Sequence, residues 1–73
     1  MNSLDLHGIK HAEVKQLFDT FIYENMKKRS FEVEVITGIS DQMKKIVFEL
    51  TDEYKFDYYQ DLLNPGKIII KII

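Results

Sequence analysis

Asp5 and His7 stand two residues apart in the run Leu4-Asp5-Leu6-His7-Gly8. On a strand, residues at i and i+2 project from the same face, so a carboxylate and an imidazole would emerge together. Such a pair can orient and charge the histidine, or hold a divalent ion. An imidazole titrates near neutrality and can serve as general base or general acid there. His11, one turn into the next segment, is a third group within reach. Two histidines and scattered carboxylates do not reproduce a known metal-ligand spacing. No cofactor is therefore called for, and a divalent metal is merely compatible with the pair.

Two short loops offer a different chemistry. His7-Gly8-Ile9 and Thr37-Gly38-Ile39-Ser40 each follow a strand-like run and precede a helix-like one. A helix N-terminus presents free N–H groups and positive potential, a ready site for an anion. Glycine in each loop lets a phosphate come close to the backbone, although turn geometry alone also accounts for a glycine there. Lys10, Lys44 and Lys45 follow the loops closely and would flank a phosphate path, with Thr37 and Ser40 as hydroxyl donors. Lys27-Lys28-Arg29 reads as a solvated helix end. Tyr54, Phe56, Tyr58 and Tyr59 could stack on unpaired bases, although about half must face a core. The sequence contains no G-x-x-x-x-G-K-[ST], no G-x-G-x-x-G and no nucleophile elbow.

These residues need a scaffold, and the hydrophobic pattern supplies one. Ser3 to His7 alternates as a strand, with Leu4 and Leu6 on one side. From about Lys10 the period becomes helical: Val14, Leu17, Phe18, Phe21 and Ile22 form one apolar stripe. Glu13 near the start and Lys27-Lys28-Arg29 at the end both favour the helix dipole. Phe31 to Ile36 alternates again, with Phe31, Val33 and Val35 toward the core and Glu32 and Glu34 away. Ser40 is suited to cap a second helix, whose stripe is Met43, Ile46, Val47 and Leu50; Phe48 has no place on it. Lys55 to Tyr59 reads as a strand, Asn64-Pro65-Gly66 as a turn, and Lys67 to Ile73 as an interior strand partly covered on both faces. The order is β-α-β-α-β-β. Successive β-α units give parallel strands with right-handed crossovers. The result is an α/β two-layer sandwich: a mixed four-stranded sheet with both helices on one face. Asp5, His7, Glu32 and Glu34 would lie on the open face. In such sheets ligands gather beyond the carboxyl ends of the strands, which is where the two glycine loops fall.

The chain has 73 residues, 10 Lys plus Arg against 12 Asp plus Glu, and a net charge of −2. That balance excludes a surface that is basic throughout, so any polyanion site must be local. Residues 1–73 read as a single domain with no linker or repeat. A chain this short buries roughly 60% of its unfolded surface. It has no cysteine, which removes disulfides, thiolate nucleophiles and zinc–sulfur sites together. No apolar run approaches the ~20 residues of a membrane span, and the first residues lack the pattern of a secretion signal. The expectation is a cytoplasmic protein with no membrane role.

Leu4-Asp5-Leu6-His7-Gly8, followed by Ala12-Glu13-Val14 on a helix, resembles the opening of the Smr (small MutS-related) domain, whose LDLHG signature stands intact here. The family's second motif, His-Gly-x-Gly, has its counterpart at Thr37-Gly38-Ile39-Ser40. Only Gly38 matches it: Thr37 stands in place of the histidine and Ser40 in place of the second glycine. Asn64-Pro65-Gly66 and the strand after it are similar to the family's glycine turn and last strand. The resemblance implies a βαβαββ sandwich like the C-terminal domain of bacterial translation initiation factor three. It also implies nucleic-acid binding, with nicking or cleavage of DNA or RNA in several members. Asp5 and His7 are then the catalytic candidates, and Gly8 and Gly38 the close-approach turns. Losing the second-motif histidine favours binding that has outlived cleavage.

Four functions compete. In the first, the chain binds DNA or RNA through Gly8, Lys10, His11, Thr37, Gly38, Ser40, Lys44 and Lys45, with weak or lost endonuclease activity. In the second, it is an active endonuclease in which Asp5 orients His7. The third is a non-catalytic protein-interaction module, favoured by the acidic strand face and by an Ile72-Ile73 edge able to pair with another copy of the chain. The fourth is a small phosphorylated ligand held by the same two helix starts.

Overall fold

A computed structural model of the chain describes residues 1–72. Its elements run β1 (Asn2–Asp5), α1 (His11–Lys27), β2 (Glu32–Ile36), α2 (Asp41–Tyr54), β3 (Asp57–Gln60) and β4 (Lys67–Lys71). The sheet order is β1-β2-β4-β3, with β1 and β2 parallel and β4 antiparallel to both its neighbours. Leu6, Val33, Val35, Ile68 and Ile70 pack with Val14, Phe18 and Ile22 of α1 and with Met43, Val47 and Leu50 of α2. Alternation puts those strand residues on one face, so both helices cover that face and the fold is the α+β sandwich expected. Fully burying each such side chain stabilises the fold by roughly 1.5–3 kcal/mol.

β4 lies between β2 and β3, so both its edges are paired. This overturns the expectation of self-association through the C-terminal strand: Lys67–Lys71 has no free edge, and the Ile72 N–H already donates to the Phe31 carbonyl at 2.8 Å. Ile73 lies outside the described residues. The interior position explains the isoleucine run. Ile68 and Ile70 meet the helices, while Ile69 is 6% exposed on the opposite face.

The boundaries shift where local chemistry competes with pattern. β2 starts at Glu32, leaving Phe31 outside the ladder and 74% exposed instead of in the core. Leu17 lies at the edge of the α1 stripe and is 40% exposed. Asn25 takes a buried position the hydrophobic pattern did not mark. Its carboxamide oxygen accepts from Asn2 Nδ2 and Ser30 Oγ, and its Nδ2 donates to the Phe21 carbonyl. It thereby ties the N-terminus to the end of α1 and the turn into β2. Lys55 adopts a left-handed conformation (φ 62°) and ends α2, so β3 begins at Asp57. Phe48 finds its place on β3, stacked on Tyr58 with ring centroids 4.9 Å apart.

Candidate functional site

β1 and β2 are parallel neighbours, and β3 points the same way because β4 is antiparallel to both β2 and β3. The loops leaving all three strands therefore open on one rim. Their backbones touch. The Gly66 carbonyl accepts the N–H groups of Thr37 at 2.8 Å and Gly38 at 3.2 Å. A Cβ on Gly66 would lie 3.2 Å from Cα and C of Gly38, so no larger residue fits without moving backbone. A Cβ on Gly38 would lie 3.2 Å from His7 Cδ2. The imidazole of His7 thus rests on the Gly38 backbone, joining the first loop to the second.

Gly8 and Gly38 have φ of +79° and +68°, conformations that cost an L side chain roughly 1–2 kcal/mol. They turn the chain sharply into α1 and α2. At α1 the cap residue is Lys10, whose side chain makes no capping hydrogen bond. The N–H groups of His11 and Ala12 have no partner among the described residues. At α2, Ser40 caps as expected: its Oγ accepts from the Met43 N–H at 3.1 Å. The N–H groups of Asp41 and Gln42 are likewise without partners among the described residues. The rim thus carries two sets of unpaired amides at two positive helix ends.

Asp5 Oδ1 accepts the backbone N–H of His7 at 2.9 Å. The carboxylate therefore shapes the turn and makes no hydrogen bond to the imidazole. An Asp whose carboxylate takes the backbone N–H two residues on forms an Asx turn, and Asp5, three residues before Gly8, is that cue in the sequence. Thr37 is buried, and its Oγ1 donates to the carbonyls of Gly38 at 2.8 Å and Gly66 at 3.3 Å. Its hydroxyl braces the loop from inside. Ser40, Lys10 and His11 are exposed at the helix starts, while Lys44 is half-buried and Lys45 exposed one turn into α2. Among the described residues no group of three or more His, Asp or Glu side chains is placed to hold a metal ion. Three of the four candidate stacking aromatics are engaged within the chain. Tyr54 stacks on Phe56 and Tyr58 on Phe48, while the half-exposed Tyr59 ring lies on the open face under Lys71 Nζ, 5.8 Å from its centroid, and its hydroxyl donates to Glu32.

On the open sheet face, Ser3 Oγ donates to Glu34, which pairs with Lys67 at 3.2 Å. The Ser3 hydroxyl, with help from Lys67, holds the Glu34 carboxyl below its ordinary value against the opposing effect of desolvation. Strand alternation adds Asp5, Glu32 and Asp57 to this face, against only Lys67 and Lys71.

A family model of the Smr domain matches residues 4–56, well over half of the chain. The chain belongs to the Smr family. Membership ties it, in general terms, to nucleic-acid binding or endonuclease-related function. No curated protein and no solved structure matches it. The matched segment includes Leu4-Asp5-Leu6-His7-Gly8 and the Thr37–Ser40 loop and stops before β3. Among the described residues no helix is long and apolar enough to cross a membrane.

Proposed function

We propose that this Smr domain binds the sugar–phosphate backbone of DNA or RNA along the rim where α1 and α2 begin, with cleavage weak or lost. The observation that carries this reading is the seating of His7 on Gly38, which joins the two loops that lead into α1 and α2, whose first N–H groups are without partners among the described residues. Phosphate oxygens would take the free amides of the first turns, with Gly8 and Gly38 permitting close approach. Lys10, His11, Lys44 and Lys45 would add positive charge, and Ser40 can still donate its hydroxyl proton outward. The acidic open face of the sheet repels phosphate, so the strand of nucleic acid runs on the helix side. A chain without cysteine is at ease in the reducing cytoplasm.

A salt titration of binding tests the proposal. Each phosphate neutralised contributes about −0.9 to the log–log salt slope on duplex DNA and about −0.7 on single strands. Lys44→Ala and Lys45→Ala should each weaken binding on every sequence and flatten that slope by about one. Absence of binding to DNA and RNA at low salt overturns the reading.

The exposed His7 imidazole beside these amides favours a second reading, endonuclease activity. There His7 takes a proton from a water or a ribose 2′-OH, and the new P–O bond forms as the bond to the leaving oxygen breaks. The helix starts stabilise the charge that builds on phosphorus-bound oxygen. His7→Ala should then abolish nicking, and nicking that survives the change places the chemistry elsewhere.

A further inference from the structure

The face of the sheet turned away from the helices carries a groove of about 510 Å³, walled chiefly by apolar atoms of Met1, Tyr59, Leu62, Leu63 and Ile69, with Glu34 beside them. Leu62 and Leu63 are 98% and 95% exposed. A braced loop keeps them out: the Leu63 N–H donates to Asp61 Oδ1 at 2.9 Å, the Gly66 N–H to Asn64 Oδ1 at 3.1 Å, and Gln60 Nε2 to the Pro65 carbonyl at 2.7 Å. Exposed apolar groups gathered at one place, rimmed by charge, mark an interaction surface. The charge says what kind. Strand alternation puts Asp5, Glu32, Glu34 and Asp57 on this face against Lys67 and Lys71, and Lys67 is already paired with Glu34. At the groove itself, Asp61 offsets the Met1 ammonium. The excess of carboxylate that turns phosphate away draws a cationic partner. A second copy of the chain is a poor match, because it carries the same net charge of −2 and each of its helices holds more carboxylates than lysines. The groove lies on the face of the sheet and not along an edge strand, which suits a stripe of helix side chains better than an added strand. The five residues of β4 span about 17 Å, the length of about eleven residues of helix.

We propose that this open face docks a basic amphipathic helix of a partner protein, its apolar side chains entering the groove between Tyr59, Ile69 and the two leucines and its Lys and Arg side chains meeting Glu32, Glu34 and Asp57. The surface is distinct from the uncapped helix starts, so the proposal does not rest on phosphate binding. The test uses the full chain, isotope-labelled, and a synthetic helix of about 14 residues with leucine at i, i+3, i+4 and i+7 and lysine on both flanks. One control peptide has glutamate in place of each lysine. The other keeps the composition but scatters the leucines around the helix.

With the basic amphipathic peptide, amide shifts should move first at Glu34, Tyr59, Leu62, Leu63 and Ile69. The Leu62→Ser/Leu63→Ser double variant should bind it about tenfold or more weakly. Glu32→Lys/Asp57→Lys should bind it about threefold or more weakly in low salt, a gap that closes as salt rises. Circular dichroism checks that both variants keep the fold. No shifts at low salt, equal binding of either control peptide, or an affinity that survives the leucine substitutions overturns the proposal. So does a concentration-dependent dimer in sedimentation that the leucine substitutions abolish, because a second copy is then the occupant.

Discussion

Replacing each rim glycine with alanine separates two costs that the fold combines. At Gly8, φ is +79° and an added Cβ meets nothing within 4 Å. Gly8→Ala therefore loses only the conformational term, about 1–2 kcal/mol. At Gly38, φ is +68° and the Cβ meets His7 Cδ2 at 3.2 Å. The imidazole is exposed and can swing away, so the stability loss is again about 1–2 kcal/mol, but the ring leaves its seat. Gly66 is the informative case, because its φ is not in the left-handed region and the whole cost must come from contact. Its Cβ would meet Cα, C and O of Gly38 at 3.2, 3.2 and 3.3 Å. Backbone cannot rotate aside, and overpacking of this kind costs about 1–3 kcal/mol. Any relief also strains the two N–H bonds onto the Gly66 carbonyl. A domain of this length has a total stability of roughly 4–11 kcal/mol, and each kcal/mol lost lowers Tm by about 4–8 °C. Urea unfolding should show lower midpoints at constant slope for all three variants. The nuclear Overhauser contact between the His7 ring and residue 38 should survive in Gly8→Ala and vanish in Gly38→Ala. A neutral Gly66→Ala, or a Gly8→Ala variant that also loses the ring contact, refutes the stacked-loop geometry.

Ser40→Ala removes the side-chain acceptor for the Met43 N–H and should cost about 1 kcal/mol by denaturant unfolding. Asp5→Asn keeps an oxygen to accept the His7 N–H, whereas Asp5→Ala does not; binding should be near normal in the first and weakened in the second, and equal losses would show that the charge of Asp5 matters. Asp19 is held below its ordinary value of 3.8 first by the hydrogen bond from Lys15, then by that from Tyr54, against desolvation. Its contribution is therefore complete above 3.8 and lost as pH falls through the lower folded value, so Asp19→Asn should flatten the acid limb of stability against pH. Tyr54 is pushed up from 10.0 to about 12, first by desolvation and then by the hydrogen bond it donates to Asp19. The neutral phenol is thus favoured by folding: its contribution is full below pH 10.0 and lost as pH rises through about 12, and Tyr54→Phe should remove that alkaline limb.

Element order and core were legible because burial imposes period. Val14, Phe18 and Ile22 recur at helical spacing, Val33 and Val35 at strand spacing, and only an interior strand accounts for Ile68-Ile69-Ile70. The misplacements occur where the periodic signal meets an end. Phe31 continues the alternation of β2 but precedes its ladder, and Leu17 sits at the margin of a stripe centred on Phe18. Asn25 and Thr51 are polar and buried because hydrogen bonds satisfy them, Thr51 Oγ1 donating to the Val47 carbonyl, and hydrophobic pattern cannot mark such positions. Of the site, the two glycine loops and the Ser40 cap were readable from turn and cap chemistry. The inward turn of Thr37 and the capping role of Asp5 depend on which backbone group lies opposite each side chain, and the third loop joins the rim only because β4 enters between β2 and β3.

The polar side chains of the rim share one orientation. Asp5, Thr37, Ser40, Asp61 and Asn64 each direct an oxygen at loop or helix-start backbone. Those atoms are committed to shape. What remains outward is a set of unpaired amides, the His7 and His11 rings, and flexible lysines. Under the proposed reading, a phosphate would be recognised chiefly through main-chain donors, which no side-chain substitution deletes. Losing one lysine removes one exposed charge, and such charges are individually weak. Moving a glycine displaces every amide on its loop at once. The same logic bears on Thr37, at the position that the sequence resemblance matches to the histidine of the family's second motif. A buried hydroxyl facing two carbonyls maintains the loop and its amides without supplying a titratable group, so under the proposed reading position 37 would give up proton transfer and still preserve the surface offered to a phosphate.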